Sequence, residues 1–317
     1  MQYAFHDYHP DAEDLLGEVL HGLACQPKRL PPKFFYDQRG SQLFDAITRL
    51  PEYYPTRTEI GILREQGEAI AAHLGHDSVL IELGSGSPLK IRVLLDSLRP
   101  AVYMPVDISG EHLRDSASHI ARDYPQIQVE AVCADYSAGL QLPELPLDAD
   151  RAAFFPGSSI GNFEPPAAVD LLRDVGEELG PGGALLIGVD LKKDRQQLDA
   201  AYNDSRQITA AFNLNLLTRI NREANADFDT ERFDHRAFYN AAQGRIEMHL
   251  VSTCSQQVRV NEQHFTFVPG ESIHTENSYK YSIDEFHALG AKAGYEAEQV
   301  WTDADELFSV HCLRVAA

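Results

Sequence analysis

Glycines and charged residues follow a short apolar run in the segment SVLIELGSGSPLK, residues 78–90. Glu82, Gly84, Gly86 and Lys90 stand in this order along it. Glycines at the end of a strand let the backbone turn sharply and approach a ligand closely. A Gly-x-Gly pair also occurs in ordinary tight turns, so the loop alone is weak evidence for a cofactor site.

Polar side chains also end the next three apolar segments. Asp107 ends AVYMPVDIS, 23 residues after Gly84, and Asp135 with Tyr136 ends VEAVCADYS. Asp107 can accept hydrogen bonds from both ribose hydroxyls of a cofactor. Asp135 can accept a hydrogen bond from an adenine amino group, and the Tyr136 ring can cover the base. The fourth segment leads into PGSSIGNFEP, which contains Asn162. Because ligands bind at the carboxyl ends of parallel strands, these groups predict one cofactor site.

Two cofactors, S-adenosylmethionine and NAD, suit such a site. The dinucleotide fingerprint Gly-x-Gly-x-x-Gly lacks its third glycine, because Leu89 stands in that place. Glu82 would be a poor neighbour for a diphosphate, but it suits a sulfonium cation and a zwitterionic aminoacyl tail. The set favours S-adenosylmethionine, and a nicotinamide-dependent oxidoreductase is the alternative.

The elements that must position these groups alternate between strand and helix. Apolar runs end near residues 84, 109, 137, 160 and 191, with helical patterns between several of them. This alternation predicts an α/β fold with a doubly wound, Rossmann-like parallel sheet. Residues 236–279 instead show period-two alternation, which predicts an inserted antiparallel piece. We therefore predict a cofactor-binding domain from residues 56–193 plus 280–317, and an α+β substrate domain from residues 1–55 plus 194–279.

Charge and cysteine spacing bound the partners. The chain has 317 residues and a formal net charge of −21, which argues against nucleic-acid or membrane partners. It has no apolar run of about 18 residues and no signal-peptide pattern near its first residue. Four widely spaced cysteines predict reduced thiols in a cytoplasmic protein and no metal site. No amphipathic zipper appears, so we expect a monomer that acts on a small molecule.

Five segments of the chain resemble one known family. They are KFFYDQRGSQLFDAITRLPEYYPTRTE, IELGSGSPLK, FFPGSSIGNFEP, AYNDSRQITAAFN and HTENSYKY. In this order, over nearly the whole chain, they resemble the histidine-specific N-α-methyltransferases of ergothioneine biosynthesis. The resemblance implies a class I methyltransferase fold, S-adenosylmethionine as cofactor, and trimethylation of L-histidine to hercynine. Another aromatic amino acid or related amine stays open as the substrate, because members of the wider family methylate such compounds.

The resemblance also implies roles for individual residues. S-adenosylmethionine would be bound by Gly84, Gly86, Lys90, Asp107, Asp135 and Tyr136. The carboxylate and amino end of the substrate would be held by Asn162 and Tyr202, and its imidazole by Tyr53, Glu276 and Ser278. The pocket near the amine would be lined by Tyr36 and Phe44. Catalytic roles fall to Tyr36, Tyr53 and Asn162. Met248 alternates with Ile246 and Leu250, so a core position is the default and contact with the substrate ring the second possibility.

The segment RLPEYYPTRTE, residues 49–59, places two tyrosines between two prolines. Pro51 and Pro55 restrict the backbone, so little freedom is lost when the segment orders. We predict that Tyr53 faces the substrate and that Tyr54 has a packing role. Methyl transfer to an amine requires alignment of the lone pair with the methyl carbon more than acid–base groups, and tyrosine hydroxyls can provide it.

Overall fold

The computed structural model describes residues 3–8, 15–86, 88–144 and 149–316. The chain divides into two compact units. The first consists of Met1–Asp11, Pro55–Lys192 and Lys280–Ala317, and the second of Ala12–Tyr54 and Lys193–Tyr279.

Strands and helices are numbered in chain order. The strands are β1 (Tyr3–Asp7), β2 (Lys28–Arg29), β3 (Val79–Leu83), β4 (Val102–Asp107), β5 (Gln128–Cys133), β6 (Arg151–Phe155), β7 (Ala184–Asp190), β8 (Phe233–Asn240), β9 (Arg245–Ser252), β10 (Gln256–Val260), β11 (Gln263–Phe267), β12 (Ser272–Tyr279), β13 (Tyr295–Thr302) and β14 (Phe308–Val315). The helices are α1 (Leu15–Ala24), α2 (Gln38–Ile47), α3 (Tyr54–Leu74), α4 (Pro88–Leu98), α5 (Gly110–Asp123), α6 (Pro165–Leu179), α7 (Arg195–Tyr202), α8 (Ile208–Glu223) and α9 (Ile283–Lys292).

A mixed sheet forms the centre of the first unit. Within the described ranges it has eight strands, in the order β1-β5-β4-β3-β6-β7-β14-β13. The six strands from β1 to β7 in this order are parallel, whereas β14 is antiparallel to both β7 and β13. The chain winds outward from β3 in both directions, so the topological switch point lies between β3 and β6. The prediction of a doubly wound α/β fold is confirmed, and ligands bind at such switch points.

The central strands are apolar because helices cover both faces of a parallel sheet. Every residue of β3 and of β7 is buried. The connecting helices are apolar on one side only, and α5 buries Leu113, Ala117 and Ile120 at helical spacing. The alternation of fully apolar and one-sided apolar segments in the sequence therefore corresponds to central strands buried on both faces and helices buried on one side.

The first strand corrects our predicted domain boundary. We assigned residues 1–55 to the second domain, but β1 lies in the large sheet, with Tyr3 opposite Val129 and Asp7 opposite Cys133. Parallel pairing with β1 satisfies backbone groups of β5 that would otherwise form an open sheet edge. Such pairing joins residues more than 100 positions apart, so local pattern did not indicate it.

The second unit contains the predicted antiparallel piece. Its four-stranded sheet has the order β2-β12-β9-β8, in which β12, β9 and β8 are antiparallel and β2 is parallel to β12. Helices α7 and α8 pack on β8, and α2 packs on α8. The hairpin β10-β11 forms a separate two-stranded sheet. Among the described residues of both units, no helix is long and apolar enough to span a bilayer.

Candidate active site

The glycine loop after β3 lies next to two of the predicted cofactor residues. Gly84 has φ +74°, a left-handed conformation that side chains rarely adopt. A Cβ atom on Gly84 would lie 3.4 Å from the Tyr136 hydroxyl, and one on Gly86 would lie 3.9 Å from Asp107 Oδ2. The structure thus brings the loop, Asp107 and Tyr136 together at the carboxyl ends of β3, β4 and β5, next to the switch point.

Asp107, which ends β4, and Asp135, which follows β5, are each held by a local hydrogen bond. Asp107 Oδ1 accepts from the Ser109 N–H at 2.8 Å, and Asp135 Oδ1 accepts from the Ser137 N–H at 2.9 Å. Burial raises the pKa of the Asp107 carboxyl. These bonds point the carboxylates to the carboxyl ends of β4 and β5, where the sequence predicts contacts to a diol and a base.

A buried carboxyl group lies directly before the glycine loop. Glu82 is 1% exposed, and burial raises the pKa of its carboxyl to about 8. The Tyr103 hydroxyl donates a hydrogen bond to it, and this bond and the Lys90 ammonium both oppose part of the rise in pKa. The Glu82 carboxyl is therefore largely neutral at pH 7, and a nearby cation would favour loss of its proton.

The donor and acceptor set of this loop fits S-adenosylmethionine. Ser85 Oγ is buried and has no hydrogen-bond partner within the described residues, so the loop retains a polar atom for a ligand. Asp107 offers acceptors for a vicinal diol, Tyr136 a ring face for a base, and Glu82 a carboxyl for a cation. Lys90 is the only basic side chain among the predicted cofactor residues, which is a poor set for a diphosphate.

Lys90 is bound by a residue that our sequence reasoning did not select. Its Nζ donates to Glu59 Oε2 at 2.7 Å, and the Glu59 side chain is fully buried. One signal for Glu59 was available: it lies four residues before Leu63 and eleven before Ile70, on the buried stripe of α3. A carboxylate on an apolar helix face requires a partner, and that partner is here a predicted cofactor residue.

Asn162 ends a short 3-10 helix, Ser159–Asn162, in the loop after β6. Gly157 and Ser158 precede it with φ values of +80° and +59°. Ser158 Oγ accepts a hydrogen bond from the Asp190 N–H at 2.9 Å, which ties the strained loop to β7. Asn162 therefore belongs to the first unit, together with the predicted cofactor residues.

Aromatic side chains connect most of the other predicted substrate residues within the second unit. Ring centroids of Tyr36 and Phe44 lie 5.8 Å apart, those of Phe44 and Tyr53 6.3 Å, and those of Tyr53 and Tyr202 6.3 Å, all edge to face. The Tyr202 hydroxyl donates to Ser278 Oγ at 2.8 Å. The structure thus brings these five residues into one continuous row.

Sheet register places two further predicted residues beside Ser278. Glu276 lies opposite Met248 and Ser278 opposite Ile246, so these side chains share one face of the sheet. Met248 is 1% exposed, as the default core interpretation requires, whereas Glu276 is 9% exposed. Phe212 was not predicted, yet its ring lies 5.8 Å from Tyr36 and 6.0 Å from Phe44.

The opposite face of this sheet carries a His and Glu cluster. Candidate ligand atoms of Glu247, His249 and His274 lie within 4.8 Å of one another. Arg245 already binds the Glu247 carboxylate at 2.9 Å, so a positive charge already compensates this acid. This competition argues against a cation at the cluster, and the absence of a metal site stays a prediction.

Comparisons with known proteins also indicate a methyltransferase. Residues 15–315 match a family model described as histidine-specific methyltransferase, SAM-dependent. The histidine N-alpha-methyltransferase of Mycolicibacterium smegmatis is 44% identical over 298 residues, covering 92% of both chains. That of Mycobacterium tuberculosis is 43% identical over 90% of both. The 4-dimethylallyltryptophan N-methyltransferase easF of Claviceps purpurea is 26% identical over 96% of both.

Proposed function

Because the chain belongs to the S-adenosylmethionine-dependent histidine-specific methyltransferases, we propose that it methylates the α-amino group of L-histidine and forms hercynine for ergothioneine biosynthesis. One observation carries the choice of histidine: Glu276 and Ser278 share a sheet face, and Ser278 accepts from Tyr202 at 2.8 Å. This arrangement provides one carboxylate and one hydroxyl for the two nitrogens of an imidazole.

The first unit would hold the cofactor through the residues described above. S-adenosylmethionine supplies a methyl group on a sulfonium when bound. Asp107 would accept both ribose hydroxyl protons, Asp135 the adenine amino proton, and Tyr136 would cover the base. The loop residues Gly84 and Gly86 permit close approach of the backbone, and Lys90 supplies the positive charge that an α-carboxylate requires.

The substrate amine must be neutral and in line before each transfer. We propose that Asn162 and Tyr202 hold the carboxylate and amino end, and that the hydroxyls of Tyr36 and Tyr53 orient the amine and pass its proton to water. Each transfer turns a neutral amine into an ammonium, so a proton must leave before the next one. The rings of Tyr36 and Phe44 favour the cation as methyl groups accumulate.

Recognition of the imidazole follows from the hydrogen bonds of the second unit. Glu276 would accept the ring N–H. Ser278, whose Oγ accepts from Tyr202, would serve the second ring nitrogen as a donor or as an acceptor. Met248 lies opposite Glu276 and would contact the ring from the same sheet face. An apolar amino acid could form no hydrogen bond with Glu276 or Ser278, so it would lose binding energy that histidine gains there.

Incubation with labelled S-adenosylmethionine and each common amino acid tests the proposal. We expect histidine to gain label, and mass spectrometry of the product to show three methyl groups. Label on tryptophan or another amine, with none on histidine, would contradict the substrate and retain the enzyme class. That outcome is the relevant alternative, because the Claviceps purpurea relative is named as a methyltransferase of 4-dimethylallyltryptophan. Calorimetry with S-adenosylhomocysteine and with NAD separates both from an oxidoreductase.

We further propose that the protein is a cytoplasmic monomer without nucleic-acid or membrane partners. The net charge of −21 supports this, since such a surface repels phosphate groups. Cys25, Cys133, Cys254 and Cys312 are free thiols, as expected in a reducing compartment. Sedimentation velocity tests the monomer, and a concentration-independent dimer would contradict it.

The paired tyrosines should differ in effect. Tyr54 is 2% exposed, and its hydroxyl accepts from Lys193 Nζ at 2.7 Å, whereas Tyr53 packs against Phe44 and Tyr202. We expect Tyr53→Phe to raise the KM for histidine or lower kcat by roughly tenfold, the effect of one lost hydrogen bond of about 1.5 kcal/mol. Tyr54→Phe should leave these constants within about twofold and lower the free energy of unfolding by about 1 kcal/mol. Steady-state kinetics and urea denaturation measure both, and equal kinetic effects would contradict the assignment.

Affinity for S-adenosylmethionine should increase with pH. The Glu82 carboxyl has a pKa of about 8, so at lower pH it must lose a proton before it can stabilise a cation. We expect Kd to fall between about pH 6 and pH 7.5, by at most about tenfold per pH unit, with a shallower slope for S-adenosylhomocysteine, which lacks the sulfonium. Glu82→Gln should remove the difference between the two slopes. Parallel slopes for both ligands in the unmodified protein would contradict this role of Glu82.

A further inference from the structure

Glu59 is a fully buried carboxylate at the carboxyl end of the large sheet. Lys90 Nζ donates to its Oε2 at 2.7 Å. The Gly157 N–H lies 3.1 Å from Oε1 and 3.0 Å from Oε2, within hydrogen-bond distance of both oxygens. A buried charge is costly unless it is paired and hydrogen-bonded, and Glu59 has both kinds of partner.

Two glycines provide the space for this group. A Cβ atom on Gly188 of β7 would lie 2.1 Å from Glu59 Oε1, and one on Gly157 would lie 3.1 Å from Lys90 Nζ. Any side chain at Gly188 would therefore displace the carboxylate. The first unit thus leaves room at two backbone positions for one ion pair, which indicates a specific arrangement and not a chance surface contact.

The partners of Glu59 belong to two different loops. Lys90 lies in the first turn of α4, directly after the glycine loop. Gly157 is the second residue after β6, in the loop that leads to Asn162. The Glu59 carboxylate therefore binds both the segment after β3, which carries predicted cofactor contacts, and the loop after β6, which carries Asn162. All of these residues belong to the first unit.

We propose that Glu59 is a positioning residue, which holds the Lys90 ammonium and the Gly157 N–H so that both loops keep the geometry needed for the carboxylate end of the cofactor and for Asn162. The proposal rests on the proposed function. Glu59 acts through Lys90 on cofactor affinity and through residues 157–162 on turnover. It does not itself contact the cofactor or the substrate.

Calorimetric binding of S-adenosylhomocysteine tests this role. We expect Glu59→Gln to raise Kd by about tenfold or more, because a neutral amide cannot form an ion pair with the ammonium. Its NH2 group would also replace one of the two acceptor oxygens that face Lys90 Nζ and the Gly157 N–H. Glu65→Gln is the matched control, since Glu65 is an exposed carboxylate on the same helix, and it should stay within about twofold. If Glu59→Gln does not fold, Glu59→Asp retains the charge but shortens its reach, and we expect a smaller loss of affinity.

A double-mutant cycle distinguishes positioning from general structural damage. If Glu59 acts through Lys90, then Glu59→Gln combined with Lys90→Gln should bind S-adenosylhomocysteine within about threefold of Lys90→Gln alone. The proposal would be overturned if the two substitutions raised Kd by independent factors that multiply in the double variant. A lowered melting temperature with unchanged Kd in Glu59→Gln would overturn it as well. Binding of this ligand does not depend on which amine is methylated. A wrong substrate would therefore leave the cycle interpretable and would contradict only the proposed function.

Discussion

Replacing Glu276 with alanine is expected to remove most turnover of histidine while the affinity for S-adenosylhomocysteine stays within about twofold. Glu276 is 9% exposed and lies on the same sheet face as Ser278 and Met248. A hydrogen bond to a charged group contributes about 1.5–3 kcal/mol. Its loss corresponds to a decrease of roughly 10- to 150-fold in kcat/KM.

Steady-state kinetics with histidine, together with calorimetry of the cofactor product, measure this result. Glu262→Ala is the control, because Glu262 is an exposed carboxylate in the same unit. Glu276→Gln retains an acceptor and should show an intermediate loss. A value of kcat/KM for Glu276→Ala within about threefold of the unmodified protein would show that Glu276 does not recognise the ring.

Asp107→Asn should have the largest effect on the cofactor. The substitution retains Oδ1, which accepts the Ser109 N–H at 2.8 Å, so the loop after β4 keeps its local hydrogen bond. It removes the charge and one acceptor, which affects two hydrogen bonds to the ribose diol. With about 1.5 kcal/mol for each charged hydrogen bond, Kd for S-adenosylmethionine should rise roughly 100-fold.

Calorimetry provides the test, with Asp115→Asn on the exposed side of α5 as the matched control. The KM for histidine at saturating cofactor should change by less than about threefold, because Asp107 is assigned to the cofactor alone. If Asp107→Asn bound the cofactor as tightly as the control, the ribose contact and the order of binding residues along the sheet would both be wrong.

Several parts of the fold and site followed from the sequence because they are local. The apolar runs of β3 and β7 reported their burial on both faces of a parallel sheet. Gly84, Asp107 and Asp135 were selected as candidate cofactor residues because cofactor contacts occur at the carboxyl ends of successive parallel strands. Alternation around Met248 predicted the antiparallel piece, since residues of one strand face share a period of two.

Tertiary structure alone decided the contacts between distant segments. Pairing of β1 with β5, the hydrogen bond from Tyr202 to Ser278, and the bonds from Lys90 and Gly157 to Glu59 join residues that no local pattern connects. Glu59 is the clearest case. Its position on the buried side of α3 was visible in the sequence, but its partners depend on how α3, α4 and the loop after β6 pack. Burial determines that such a carboxylate requires a cation, and only the packed sheet determines that the cation is Lys90.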